Sequence, residues 1–75
     1  MGKLRVLSGA DVCRILEEHA FTLVRQRGSH AVMQMKSAGS TITVPVPLHD
    51  ELRRSTLLSV IRQSGVPRSA FESSS

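Results

Sequence analysis

Two short glycine turns, Arg27-Gly28-Ser29 and Ser37-Ala38-Gly39-Ser40, cut the middle of this chain into three β-prone runs. They constrain the fold more than any other feature, because turns this short join neighbouring antiparallel strands. The run between them, His30 to Lys36, alternates. Ala31, Met33 and Met35 fall on one face; His30, Val32, Gln34 and Lys36 fall on the other. That is the pattern of a half-buried antiparallel strand, with His30 and Lys36 on the wetter side. Phe21 to Gln26, centred on Thr22, Leu23 and Val24, is the strand expected before it. Thr41 to Val44 is the strand expected after it, with Ile42 and Val44 facing the core and Thr41 and Thr43 facing away. Pro45 and Pro47 are expected to end that strand, since neither donates a ladder hydrogen bond. Gly28 is expected to supply a positive φ at the first turn.

Helical signals flank the strands. Ser8 to His19 reads as a helix with Ser8 as N-cap and Asp11 completing a capping box. Leu7 and Val12 can form a hydrophobic staple, and Val12, Ile15, Leu16 and Ala20 form the expected core stripe. Arg14, Glu17 and Glu18 fall largely opposite. After a polar connection, Leu48 to Arg54, Ser55 is expected to cap a second helix running to about Ser64. Its expected stripe is Leu57, Leu58 and Ile61; Gly65 is the C-cap, Pro67 lies just beyond, and Arg62 suits the last turn. The order α-β-β-β-α predicts a two-layer α+β domain, two helices on one face of a three-stranded sheet. This is the element order of the double-stranded-RNA-binding fold. One domain over residues 1–75 is expected, ordered over about 4–71, with a disordered Ser-rich tail at 72–75.

Seventy-five residues bury only about 60% of the unfolded chain's surface, so a homodimer or a partner protein is a natural expectation. The net charge of +4 favours a polyanionic or acidic partner. The lone cysteine, Cys13, cannot make an internal disulfide, which fits a reducing compartment; between Val12 and Ile15 it reads as a small packing residue, not a reactive thiol. Neither a signal-peptide core nor a membrane-length apolar run is visible, so a cytoplasmic location is expected. His19, His30 and His49 show no compact ligand spacing and there is no CxxC pair, so neither a metal site nor a cofactor is expected. With Phe21 and Phe71 as the only aromatics, a base-stacking platform for single-stranded RNA is excluded. Any RNA contact has to run through phosphates, sugars and shape.

The chemistry-bearing stretch is Arg25-Gln26-Arg27-Gly28-Ser29-His30. An imidazole beside a tight turn can give and take protons near neutral pH. RNA cleavage needs a base for the ribose 2′-OH and an acid for the leaving 5′ oxygen, and one histidine can supply at least one of these. Arg25, Arg27 and Lys36 are expected to hold the phosphate and stabilise transition-state charge, with Ser29 adding a hydroxyl contact. Arg53 and Arg54, just before the second helix, can grip phosphate together with its N-terminus.

Three blocks then resemble a known family: Leu23-Val24-Arg25-Gln26-Arg27-Gly28-Ser29-His30, Thr41-Ile42-Thr43-Val44-Pro45-Val46, and Thr56-Leu57-Leu58-Ser59-Val60-Ile61-Arg62-Gln63-Ser64-Gly65. In this order and spacing they are similar to the HicA toxin family, also called YcfA-like. The resemblance implies a bacterial or archaeal type II toxin with a double-stranded-RNA-binding-like fold. It implies an mRNA interferase neutralised by a HicB-like antitoxin, with mRNA and that antitoxin as partners. The family's catalytic histidine follows a Gly-Ser pair, which maps onto His30. Two departures stand out. Many members carry a second histidine directly after the first, where this chain has Ala31, expected on the core side. The segment before the second helix is often Pro-Gly or Lys-Gly in flavour, where this chain has Arg54-Ser55. Two other readings use the same basic surface: a non-catalytic RNA-binding module, and a domain whose basic face meets an acidic antitoxin, to which Val32 on that face would contribute.

Overall fold

The expected order of elements is the observed one. The computed structural model describes residues 2–73 and runs α1 (Gly9–Glu17), β1 (Thr22–Arg27), β2 (His30–Ser37), β3 (Ser40–Pro47) and α2 (Arg54–Ser64), then a short 3₁₀ turn over Arg68–Phe71. The strands form one antiparallel sheet in the order β1-β2-β3. Its buried residues, Ala31, Met33, Val44 and Val46, stand on one face. There they meet Val12, Ile15 and Leu16 of α1 and Leu57 and Val60 of α2, closing a two-layer α+β domain. Among the described residues, no helix covers the other sheet face.

α1 starts where the side chains stop it fraying. The Asp11 amide donates to the Ser8 hydroxyl (3.0 Å) and the Ser8 amide donates to the Asp11 carboxylate (3.1 Å). Leu7 and Val12 are both buried, as the staple requires. The helix ends earlier than expected. Ala20, expected in the core stripe, is exposed and left-handed (φ 72°). The Phe21 amide reaches back to the Leu16 carbonyl (3.0 Å), and this reversal delivers Phe21 to the core in place of Ala20.

α2 also differs from expectation at its start. Its N-cap is Arg53, without a side-chain cap, and Ser55 lies inside the first turn. The buried stripe is Leu57, Val60 and Ser64, with Leu58 and Ile61 half-buried beside it. Val60, absent from the expected stripe, is the residue that faces the sheet. The buried Ser64 hydroxyl is satisfied by the Ile61 carbonyl and the Val66 amide, both at 3.2 Å. Gly65 closes the helix in the left-handed region (φ 71°).

Pro45 does not end β3, which runs on to Pro47 and ends there, three residues beyond the expected Val44. The Leu48 amide donates inward to the Ser29 carbonyl (2.6 Å). Two-residue alternation then puts the nitrogens of Pro45 and Pro47 on the outer edge, where no partner strand lies and no donor is needed. The chain's end is also tied down further than expected. Phe71 is buried, Glu72 bridges Leu4, and the Ser73 amide donates to the Lys3 carbonyl (2.8 Å). Arg68 pairs with Glu72 (2.8 Å). Of the expected tail, residues 74 and 75 lie outside the described residues.

Candidate functional site

His30 opens β2 immediately after a two-residue turn. Gly28 has φ 55°, which in a turn of this length places a left-handed residue first, a geometry that favours glycine. Arg27 and His30 are therefore directly opposite in the ladder. On its other side His30 faces Pro47 of β3, and the Leu48–Ser29 hydrogen bond carries the β2–β3 pairing one step into the turn. The histidine is exposed but its backbone is held from both sides.

The side-chain faces of β1 depend on a bulge that the sequence does not announce. Leu23 pairs with Met33, whereas Arg25 pairs with Val32, so Val24 is an extra residue between two ladder positions. A regular strand would put Arg25 and Arg27 on the face of Leu23, towards the helices. The extra residue shifts the alternation by one, and both arginines join His30 on the open face. The bulge and its neighbours form a shallow depression of about 420 Å³ lined by Val24, Arg25, Arg27, Val32 and Gln34. Leu23 and Val24, each 50% exposed, stand on either side of this outer strand. Val32, expected as an exposed apolar residue, is half-buried among these neighbours, and Ala31 is buried beneath, on the core side.

The charge on this face is one-sided. From Phe21 to Leu48 the chain contains no Asp or Glu, so Arg25, Arg27 and Lys36 have no carboxylate within the sheet. All six acidic residues belong to α1 and its C-cap Glu18, to the connection before α2, or to the C-terminal Glu72. Cations without local compensation favour a polyanion across the surface. This run was readable as a sequence signal; the bulge was not.

The remaining expected residues are spread more widely. Lys36 shares the open face but lies six residues along β2, ~20 Å from His30 at about 3.4 Å per residue. Ser29 sits in the turn beside His30, its carbonyl committed to Leu48. Arg53 and Arg54 belong to the helical layer, at the start of α2, where no acidic residue occupies the first turn. Arg54, with Arg5, Leu4, Val6 and Glu51, lines a separate depression. The structure thus gathers Arg25, Arg27, Ser29 and His30, and leaves Lys36, Arg53 and Arg54 outside that cluster.

Two other groups are occupied elsewhere. The His19 Nδ1 lies 2.9 Å from the Ile15 carbonyl at the end of α1. Cys13 packs against the core; burial first, and Glu17 second, push its thiol above its ordinary value of 9.0. It is protonated at neutral pH and a poor nucleophile. Among the described residues no helix is long and apolar enough to cross a membrane, and no three His, Cys, Asp or Glu side chains converge.

No curated protein and no solved structure matches the chain. Residues 9–66, from the first residue of α1 to just beyond Gly65, match the family described as the HicA toxin of bacterial toxin-antitoxin. That span contains all three strands, both helices and the His30 turn. The chain therefore belongs to the HicA toxin family and is the toxin of a toxin-antitoxin system.

Proposed function

We propose that this toxin is an endoribonuclease that cuts mRNA, an mRNA interferase, with His30 transferring a proton as general acid or base. The observation that carries the reading is the pairing of Arg27 directly across from His30, with Arg25 brought to the same face by the bulge, on a sheet free of carboxylates. A scissile phosphate over His30 meets a guanidinium on the neighbouring strand, at the short lateral spacing of cross-strand neighbours. The arginines neutralise the phosphate and the charge that builds on it as the 2′ oxygen attacks. Proton transfer by a positioned imidazole contributes typically about 10²- to 10⁴-fold. Imidazole and guanidinium groups supply both functions, so the reading makes the reaction independent of a bound metal or cofactor.

Gly28 serves the backbone, and the Ser29 hydroxyl is placed for a contact to the same phosphate. Lys36, ~20 Å away along β2 by the strand rise, serves phosphates further along the RNA. Arg53 and Arg54 at the start of α2 hold a flanking stretch. The whole chain, residues 1–75, acts as one domain in the cytoplasm. A HicB-like antitoxin neutralises it by covering the open basic face, forming a toxin-antitoxin hetero-oligomer; a homodimer is the other assembly this small domain suits.

The test is cleavage of labelled RNA in EDTA by the purified toxin beside His30→Ala. Cleavage by the wild type alone is expected. RNA bound but uncut by both folded proteins overturns the enzymatic reading in favour of a non-catalytic RNA-binding module, whose affinity falls steeply with salt.

A further inference from the structure

We infer that His49 is the second proton-transfer group of the His30 site; this rests on the nuclease reading above. Cleavage by 2′-OH attack needs two proton transfers, and His30 makes one of them. The other group has to lie on the same face, within reach of the same phosphate.

The backbone places His49 there. His30 faces Pro47, the last residue of β3, and the Leu48 amide donates to the Ser29 carbonyl (2.6 Å), so the chain leaving β3 stays alongside the turn. Leu48 lines the groove on the helix side together with Ala31 and Met33. By alternation, residues 47 and 49 then belong to the opposite side, which is the face of His30. His49 lies two residues beyond Pro47, the position opposite His30, in the connection after β3; in a chain that stays extended this is the diagonal relation, separated by about 7–8 Å. Two imidazoles at that spacing can bracket one phosphate. The His49 backbone is fixed as well, because its carbonyl accepts from the Gly9 amide at the head of α1 (2.9 Å), while the side chain is exposed.

His19, the remaining histidine, is bound to the Ile15 carbonyl at the far end of α1, more than ten Å from Gly9 at about 1.5 Å per residue. The charged groups on the elements next to His49 are Asp50, Glu51 and Arg53 in its own connection, Asp11 two residues after Gly9 in α1, and Arg27, which pairs with His30. None of the acids belongs to the sheet.

In the reaction one histidine is neutral and the other protonated. The neutral one takes the proton of the ribose 2′-OH as the O2′–P bond forms. The protonated one gives its proton to O5′ as the P–O5′ bond breaks. The products are a 2′,3′-cyclic phosphate and a 5′-hydroxyl, and the pair exchanges one proton with no redox change.

The experiment compares wild type, His30→Ala, His49→Ala and His49→Gln on one RNA, and on the same RNA with sulfur replacing the bridging 5′ oxygen at the cut site. A thiolate leaves without a general acid. Both His49 variants are expected to retain the thermal stability and RNA affinity of the wild type and to lose about 10²- to 10⁴-fold in kcat. The sulfur substrate is expected to restore one of the two alanine variants and not the other, which identifies the acid and the base. A His49→Ala protein that cuts at the wild-type rate, or whose loss lies in KM, overturns the inference, as does rescue of both variants or of neither. Absence of cleavage by the wild type removes the nuclease reading itself, and this inference with it.

Discussion

Replacing Gly9 by alanine tests how the two layers hold the His30 turn. Gly9 is the first residue of α1, and its amide donates to the His49 carbonyl (2.9 Å). A β-carbon there would overlap the Pro47 carbonyl oxygen and lie 2.7 Å from the Leu48 Cα and 2.9 Å from the Pro47 carbonyl carbon. Every one of these atoms is backbone, so no rotamer change relieves the contact. Restoring ordinary van der Waals separation moves the head of α1 away from the end of β3 by about 1 Å, on the scale of a C–C contact distance of roughly 3.5–4.0 Å. Overpacking of this kind costs about 1–3 kcal/mol. Loss of the Gly9–His49 hydrogen bond adds about 1 kcal/mol. Against this, alanine is the better helix former by at most about 1 kcal/mol. The steric term wins, and a net destabilisation of about 2–3 kcal/mol is expected, against a total of ~4–11 kcal/mol for a chain this long. In thermal unfolding followed by circular dichroism this is a fall in Tm of roughly 10–20 °C. Gly28→Ala is the control. Nothing lies within 4 Å of a β-carbon at Gly28, so its cost is limited to the left-handed backbone, about 1 kcal/mol. A Gly9→Ala protein as stable as the wild type, or more stable than Gly28→Ala, would refute the argument that the helix is seated on the strand end by a missing side chain.

Two further substitutions follow from the local structure of α1. Ala20→Gly relieves the left-handed conformation at φ 72° and is expected to raise stability by about 0.5–1 kcal/mol, once the greater freedom of glycine in the unfolded chain is offset; a lower midpoint in urea contradicts it. Hydrogen bonds from the Ser8 backbone and then its hydroxyl hold the Asp11 carboxyl below its ordinary 3.8. A depressed carboxylate stabilises the fold above its unfolded value and loses that contribution as pH falls through the lower folded value. Asp11→Ala is therefore expected to flatten the acid limb of the stability curve below about pH 4, given an ordinary aspartate value of ~3.9; an unchanged acid limb in titrated urea melts contradicts it.

The strands, their order and the His30 turn were legible because each rests on local chemistry. Gly28 and Gly39 permit the turns, alternation from Ala31 to Met35 marks the buried face, and Ser8 with Asp11 starts the first helix within four residues. Errors came where a distant element decided. Ala20 has helical propensity and apolar character, yet the chain must reverse there so that Phe21 can enter the core. Proline ends most strands, yet Pro45 sits within β3 because its missing donor faces an edge, and the strand stops only at Pro47. Val60 joins Leu57 in the buried stripe, with Leu58 half-buried beside it, because residues three apart share a helix face and packing on the sheet chose that face.

The candidate site divides in the same way. His30, its glycine turn and the cations of the flanking strand are properties of a single stretch of chain, and so is the absence of any carboxylate from Phe21 to Leu48. Local sequence suffices for these, since residue type and short-range turn geometry need no partner. The facing of Arg25 and Arg27 is different. One extra residue at Val24 reverses their side, and whether it is absorbed as a bulge depends on how β1 docks on β2 and on how Met33 and Ala31 meet the helices. The approach of His49 to the His30 turn likewise depends on α1 gripping the end of β3 through Gly9. The sequence by itself determined which groups the chain carries and the order of the elements that hold them. Only the packed sheet decided which face those groups share, because a period of two turns a single register step into a reversal of every side chain.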